Sequence, residues 1–301
     1  MITLFFSILL LISFFSMSVY SIFHKKLDLI FLLILTISVL ILINLTWYSS
    51  LISILFLITP VLFLKRVTFV QLMYFSVFGS ILMAYFLLQY FLIVEVPFMF
   101  IIAILSVLLL CVLAIMGIFE DDLKKYLIYS NVIQLTFVLL DLSIAKLGQK
   151  ISTLGTVQIF NYMIAGLLFF ITLGILSRDN KSKSVSRLNG SYYGDKLNGG
   201  FAIISALSLA GLPGLNIFVS EWFLFKAAFA INPIITVFGI FAALLLFIMY
   251  FKIVNVLLIG ETEIRMRSKN WLTYMNGIFA ILCLIFGLIP QIQLFILNMV
   301  L

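Results

Sequence analysis

The chain has 301 residues, 65% of them hydrophobic and only 10% charged, at a mean hydropathy of +1.32. A soluble domain carries about 25% charged and roughly 50% apolar residues, so this is a membrane protein with no room among these residues for a soluble catalytic domain. The formal charge of +7, from 18 Lys+Arg against 11 Asp+Glu, reports loop topology in such a chain and excludes a reading based on nucleic-acid binding.

A helical crossing of the hydrocarbon core takes about 20 apolar residues, which leaves space for roughly ten or eleven spans joined by short loops. Backbone groups in lipid must satisfy their own hydrogen bonds, and the apolar runs lack the period-two alternation of a β-barrel. The expected fold is therefore all-α, a polytopic transmembrane helical bundle of about eleven spans. Apolar runs bounded by charges, Gly/Pro and Asn/Ser clusters place them near 3–22, 28–47, 50–64, 67–93, 97–118, 126–145, 153–176, 199–215, 216–231, 234–259 and 272–299. The first run has no basic n-region and no small-residue cleavage site, so it reads as a retained span and not a signal peptide. The segment from Arg178 to Gly200 is rich in Gly, Ser and Asn and is expected to be a loop between two helical blocks. The resulting organisation is an N-terminal block 1–96, helices 97–177, the polar loop 178–200 and C-terminal helices 201–301. Spans 199–215 and 216–231 meet across Gly211-Leu-Pro-Gly214, where a broken helix near 211–231 and two separate spans look alike in sequence.

With eleven spans, one face receives Lys25, Lys26, Lys65, Arg66, Lys124, Lys125, Arg178, Lys181, Lys183, Arg187 and Lys196. The other receives Lys146, Lys150, Arg265, Arg267 and Lys269, so the first is expected to face cytoplasm or matrix. Cys111 and Cys283 lie in apolar runs and His24 is the single histidine, which leaves no ligand cluster for zinc, haem or iron–sulfur. No G-x-G-x-x-G follows a strand pattern. No cofactor is expected in this chain, nor direct contact with NADH or flavin. The abundant Phe and Met read as packing bulk.

Asp141, Glu221, Lys226 and Lys252 are ionisable residues within predicted spans. A charge at mid-membrane costs about 2.5–3.5 kcal/mol on insertion scales, so such groups face a bundle interior, a partner or water and are proton-pathway candidates. Glu221 lies seven residues beyond Gly214, after an interruption formed by Gly211, Pro213 and Gly214. Interrupted helices expose carbonyls and amides that order water and bind ions. The structural alternative for Glu221 is pairing with a neighbouring subunit's base. Lys226 is about 140° around the helix from Glu221 and does not share its face. Lys252 is either a relay lysine or a base that snorkels to the interface. Asp141 is five residues before Lys146 and reads as interfacial and solvated. The cluster Glu120-Asp-Asp-Leu-Lys-Lys125 reads as a solvated loop that caps the next helix, its acids at the positive end of the dipole.

Four motifs then carry a resemblance. The stretch FEDDLKKYLIYSNVIQL (119–135) resembles the DLKR-LLAYSS-I-Q loop and helix start of the antiporter-like membrane subunits of respiratory complex I and of related Mrp antiporters. FNYMIAGLLFF (160–170), with Tyr162 eight residues before Phe170, resembles a helix of the N-type (chain 2) branch. LSLAGLPGLNIFVSEWFLFKAAF (207–229) resembles the LSLAGIPP-GF--K-FLFKAA broken helix, and LFIMYFKIVNVLLIG (246–260) the YY-RI helix. The match runs in order over roughly residues 97–299 and departs from the pattern at two points. Glu221 stands where the N-type carries lysine, as in the chain 4 type, and PPxxGF has become PGLNIF.

The resemblance implies a shortened membrane-arm subunit of NADH:ubiquinone oxidoreductase, without the Glu and Lys of a complete first repeat. Glu221 would be the terminal proton carrier, Lys252 a neighbour, and Asn161 would stand in place of a relay residue. The implied partners are other membrane subunits and the bilayer. The Phe-, Ile-, Leu-, Lys- and Asn-rich composition and the shortness point to the mitochondrial inner membrane, with a prokaryotic plasma membrane as the alternative. A scaffold that has lost conduction and a subunit of a cation/proton antiporter or membrane hydrogenase are the competing functions.

Overall fold

The computed structural model describes residues 80, 96–148, 153–180, 183–260, 271–293 and 295. The expected spans 3–22, 28–47, 50–64 and 67–93 lie outside these residues except for Ser80, as do His24, Lys65, Arg66 and Glu95. Among the described residues the regular structure is helical: α1 Val96–Phe119, α2 Leu123–Leu147, α3 Thr153–Asp179, α4 Ser191–Gly194, α5 Lys196–Leu209, α6 Asn216–Ile231, α7 Pro233–Leu258 and α8 Trp271–Leu288.

Local chemistry sets the helix ends. Asp122 caps α2, its Oδ1 accepting from the backbone N–H of Lys124 at 2.9 Å and of Lys125 at 3.2 Å. Asp195 accepts from Asn198 N–H and starts α5 within the polar segment, three residues earlier than the apolar run suggests. Asn232 caps α7 with Pro233 at its first turn, where a missing N–H costs nothing. The 178–200 connection also contains the short α4 and a 3₁₀ turn over Ser186–Leu188.

The connection between α1 and α2 is zipped to the segment after α3, since Leu123 N–H donates to Lys183 O and Val185 N–H to Asp121 O at 2.7 Å. Gly190 N–H donates to Val256 O, which brings the C-terminal end of α7 to the same face. At the other face Gly148, after α2, lies against Ile231 at the end of α6. Because α5 starts near the first face and α6 ends at the second, the pair makes one crossing. Spans 199–215 and 216–231 are thus two halves of a single interrupted helix. This changes the orientation expected further along. Gly260, beside Asn189, and Thr273, bonded to Asn198, are both on the face of Lys124 and Lys125. These are the flanks of Arg265, Arg267 and Lys269, which themselves lie outside the described residues.

The buried centre is α3, which packs against α2, α5, α6 and α8, while α1 and α7 keep long apolar faces outward. In lipid the hydrophobic effect does not hold helices together, so close packing and interhelical hydrogen bonds do, the latter averaging about 0.6 kcal/mol each. Gly117 lets α1 approach α7, because a Cβ there would sit 2.5 Å from Met249 Sδ. Tyr126 Oη donates to Met249 O at 2.9 Å, Ser130 Oγ and Tyr250 Oη are 2.7 Å apart, and Phe169 meets Tyr250 edge-on at 5.8 Å.

Candidate functional site

The site is built on the interruption between α5 and α6. The end of α5 is a Schellman motif: Leu212 N–H donates to Leu207 O and Gly211 N–H to Ser208 O, with Gly211 in the left-handed region at φ +69°. Pro213 follows, and Gly214 at φ +92° turns the chain into α6, whose N-cap Leu215 supplies no side-chain acceptor. Asn216 holds the two halves together. Its Oδ1 accepts from Ser208 Oγ at 2.5 Å, and its Nδ2 donates to the backbone carbonyl of Asn161 on α3 at 3.0 Å. Behind the break lies Gly287 of α8, where a Cβ would be 2.5 Å from Gly214 C and closer still to Gly214 O and Leu215 Cα. Only a bare α-carbon allows α8 this close.

Glu221 projects from α6 back over the break. It is 6% exposed, and its carboxylate occupies the space that a Gly211 side chain would fill: a Cβ built there overlaps Oε2 and lies 3.0 Å from Cδ. Asp141 of α2 is 1% exposed and in electrostatic contact with Glu221; among the described residues neither of its oxygens has a hydrogen-bond partner. The expectation of a solvated, interfacial Asp141 is therefore corrected. The Asp141 side chain is enclosed by the packed bundle, with α3 passing alongside at Gly155, which distance along the sequence to Lys146 could not reveal.

Lys252 and Lys226 stand apart from this pair. Lys252 Nζ donates to Ile118 O at 2.9 Å and to Glu120 O at 2.6 Å, so it satisfies carbonyls at the C-terminal end of α1. Lys226 is exposed on α6, on a different side from Glu221 as the helical angle requires. The acidic cluster 120–125 caps α2 as its spacing suggested. In addition, Asp121 accepts from Ser184 Oγ, from Ser186 N–H at 2.9 Å and from Ser186 Oγ at 3.1 Å. The Ser184 hydroxyl above all, then the Ser186 groups and the Lys252 charge, hold the Asp121 carboxyl below the usual range against an opposing effect of partial burial.

Of a stripe of neutral polar groups that extends from the acidic pair, sequence reasoning singled out Asn161 alone. On α2, Asn131 and Gln134 share a face with Asp141, over about 15 Å of helix. Asn131 Oδ1 accepts from Tyr162 Oη at 2.5 Å and from Ser80 Oγ at 2.6 Å, and Gln158 Nε2 donates to Gln134 Oε1 at 2.8 Å. Asn161 Nδ2 reaches Ser220 Oγ at 3.4 Å, next to Glu221. Among the described residues, Asn161 Oδ1 is buried without a partner. The signal was present as amides three apart on α2 and again on α3, with Asp141 two turns beyond Gln134.

The family model for NADH:quinone oxidoreductase/Mrp antiporter transmembrane subunits matches residues 1–246. The chain belongs to this family. It is 23% identical over 186 residues to subunit M of the NADH-quinone oxidoreductase of Buchnera aphidicola, covering 60% of this chain and 36% of that protein. It is 28% identical over 137 residues to subunit N of the enzyme from Hirschia baltica, covering 44% and 28%. A chain in the structure of respiratory complex I from Thermus thermophilus with bound aureothin superposes at a TM-score of 0.61 with 20% identity, over 74% of this chain and 50% of that one. The match spans half or less of each of these relatives. The multi-pass membrane fold, helical among the described residues, and the resemblance to antiporter-like subunits of complex I are thus established, while the expectation about the first repeat falls outside the described residues.

Proposed function

We propose that the chain is a membrane-arm subunit of an NADH:quinone oxidoreductase and contributes to proton translocation coupled to quinone reduction elsewhere in the complex. The observation that carries this reading is the buried pair Glu221 and Asp141, set at a helix break and continued by the polar stripe along α2 and α3. Two buried carboxyl groups that feel each other's charge in a poorly hydrated site titrate together, which suits them to pass on a proton and not only to fill space. The break gives α6 a first turn without a side-chain cap, and the amides supply sites for water. In this reading Lys252 anchors the end of α1, and the redox groups that bind NADH, flavin and quinone belong to other subunits. The membrane is the mitochondrial inner membrane, which the Phe-, Ile-, Leu- and Asn-rich composition favours, or the plasma membrane of a prokaryote.

The test is Glu221→Gln in the assembled complex, which keeps shape and removes the exchangeable charge. Proton yield per quinone reduced is expected to fall while assembly persists; an unchanged yield would remove Glu221 from the pathway.

One observation favours a second reading, an architectural subunit that has lost conduction. The stripe is built from Asn131, Gln134, Gln158 and Asn161, and an amide orders water but takes up no proton at neutral pH. An unbroken file of ordered water across the subunit in a high-resolution map would exclude it.

A further inference from the structure

The Glu221 carboxylate faces more than the interior. Between α6 and α7 lies a cleft of about 330 Å³, at the lower end of the range of small-molecule pockets, with Glu221 and Gly211 at its floor. Its walls carry four aromatic side chains, Phe218, Trp222, Phe225 and Phe247, with Phe218 and Trp222 stacked 6.1 Å apart. The exposed Trp222, Ile240 and Leu244 mark the mouth. Ile240 is seven residues and Phe247 fourteen residues along the 26-residue α7, so the mouth opens sideways at the depth of the acyl chains and not onto either face.

The composition of this cleft selects its occupant. Among the described residues no donor is hydrogen-bonded to the Glu221 carboxylate, and its described charged neighbour, Asp141, is another acid. An acid without a counter-charge in an apolar recess ionises readily only beside a cation, and aromatic faces favour one that is weakly hydrated. A metal ion would arrive with a water shell that the apolar walls cannot replace. We propose that the cleft between α6 and α7 binds an organic ammonium ion carried on an apolar stem, taken up laterally from the bilayer, with its nitrogen paired to Glu221 and its stem against the aromatic walls. This site does not depend on proton translocation: a chain that conducts nothing would bind the same ligand.

The full chain in lipid nanodiscs, titrated with 4-bromophenethylamine, tests the proposal through bromine quenching of Trp222, one of three tryptophans. Saturable quenching is expected in the unaltered chain, and at least tenfold weaker binding in Glu221→Gln. The neutral 4-bromophenethyl alcohol, of nearly the same shape, is expected to give only the unsaturable quenching of a lipid-dissolved additive. Ala243→Phe fills the cleft without touching the carboxylate and should abolish the saturable component, while Trp222→Phe should remove the optical signal. Circular dichroism and thermal melts of each variant report folding. Equal binding of amine and alcohol, or amine binding unaffected by both Glu221→Gln and Ala243→Phe in folded protein, would overturn the proposal.

Discussion

Gly211→Ala adds a single methyl group where two demands coincide. The left-handed φ of +69° disfavours any Cβ, which costs about 1–2 kcal/mol for an L-residue. The same Cβ overlaps Glu221 Oε2 and lies 3.0 Å from Cδ and 3.3 Å from Oε1, so the carboxylate has to leave its position. Forcing that side chain off its rotamer adds about 0.5–1.5 kcal/mol, and the expected loss is about 1.5–3.5 kcal/mol in all. Glu221→Ala removes the group being struck and leaves the backbone cost alone. In that background Gly211→Ala should cost only about 1–2 kcal/mol, and the difference is the coupling between the two positions. Reversible unfolding in detergent, following helix content for the four members of the cycle, measures it. Proton yield of the Gly211→Ala complex should fall together with that of Glu221→Gln. An identical destabilisation in both backgrounds would refute the contact between this glycine and the carboxylate.

Lys252→Met retains the stem and removes the ammonium from the carbonyls of Ile118 and Glu120. It should lower stability by about 1–2 kcal/mol in the same unfolding measurement. Proton yield per quinone reduced should stay unchanged, because those contacts lie at the end of α1 and not at Glu221. The clamp on Asp121 is expected to respond to acid. A carboxyl group whose folded value is depressed contributes its stability above the unfolded value of about 3.9, and loses it as pH falls through the lower, folded value. Amide exchange at Ser186, whose N–H is bonded to Asp121 Oδ1, should therefore gain protection loss below about pH 3.9 beyond the intrinsic pH dependence of exchange. An Asp121→Asn variant should not show that extra step.

Length and apolarity made most helices from 96 onward readable, because a run that must cross hydrocarbon is bounded by the first charges on either side. The divided helix was harder. Gly211 stops α5 at Leu209 through backbone hydrogen bonds, several residues before the apolar run ends, and the run itself continues into α6 without a polar boundary. Counting two crossings there reversed the face assigned to the flanks of Arg265, Arg267 and Lys269. At the site, Glu221 was legible from its place after a Gly/Pro interruption. Asp141 was misread because five residues from Lys146 is close to an interface along one helix, whereas burial is set by the helices packed around it. Lys252 was ambiguous for a related reason: whether a long base relays or caps is decided by carbonyls more than 130 positions away in the chain, at Ile118 and Glu120.

Gly287 gives the break a direction. With the backbone of α8 already against Gly214 and Leu215, the linker has no slack on that side. On the other side of Gly211 is the cleft beside α7, which has volume to give. Close packing therefore resists displacement of the break toward α8, while the cleft between α6 and α7 leaves room for the side chains that line it to adjust.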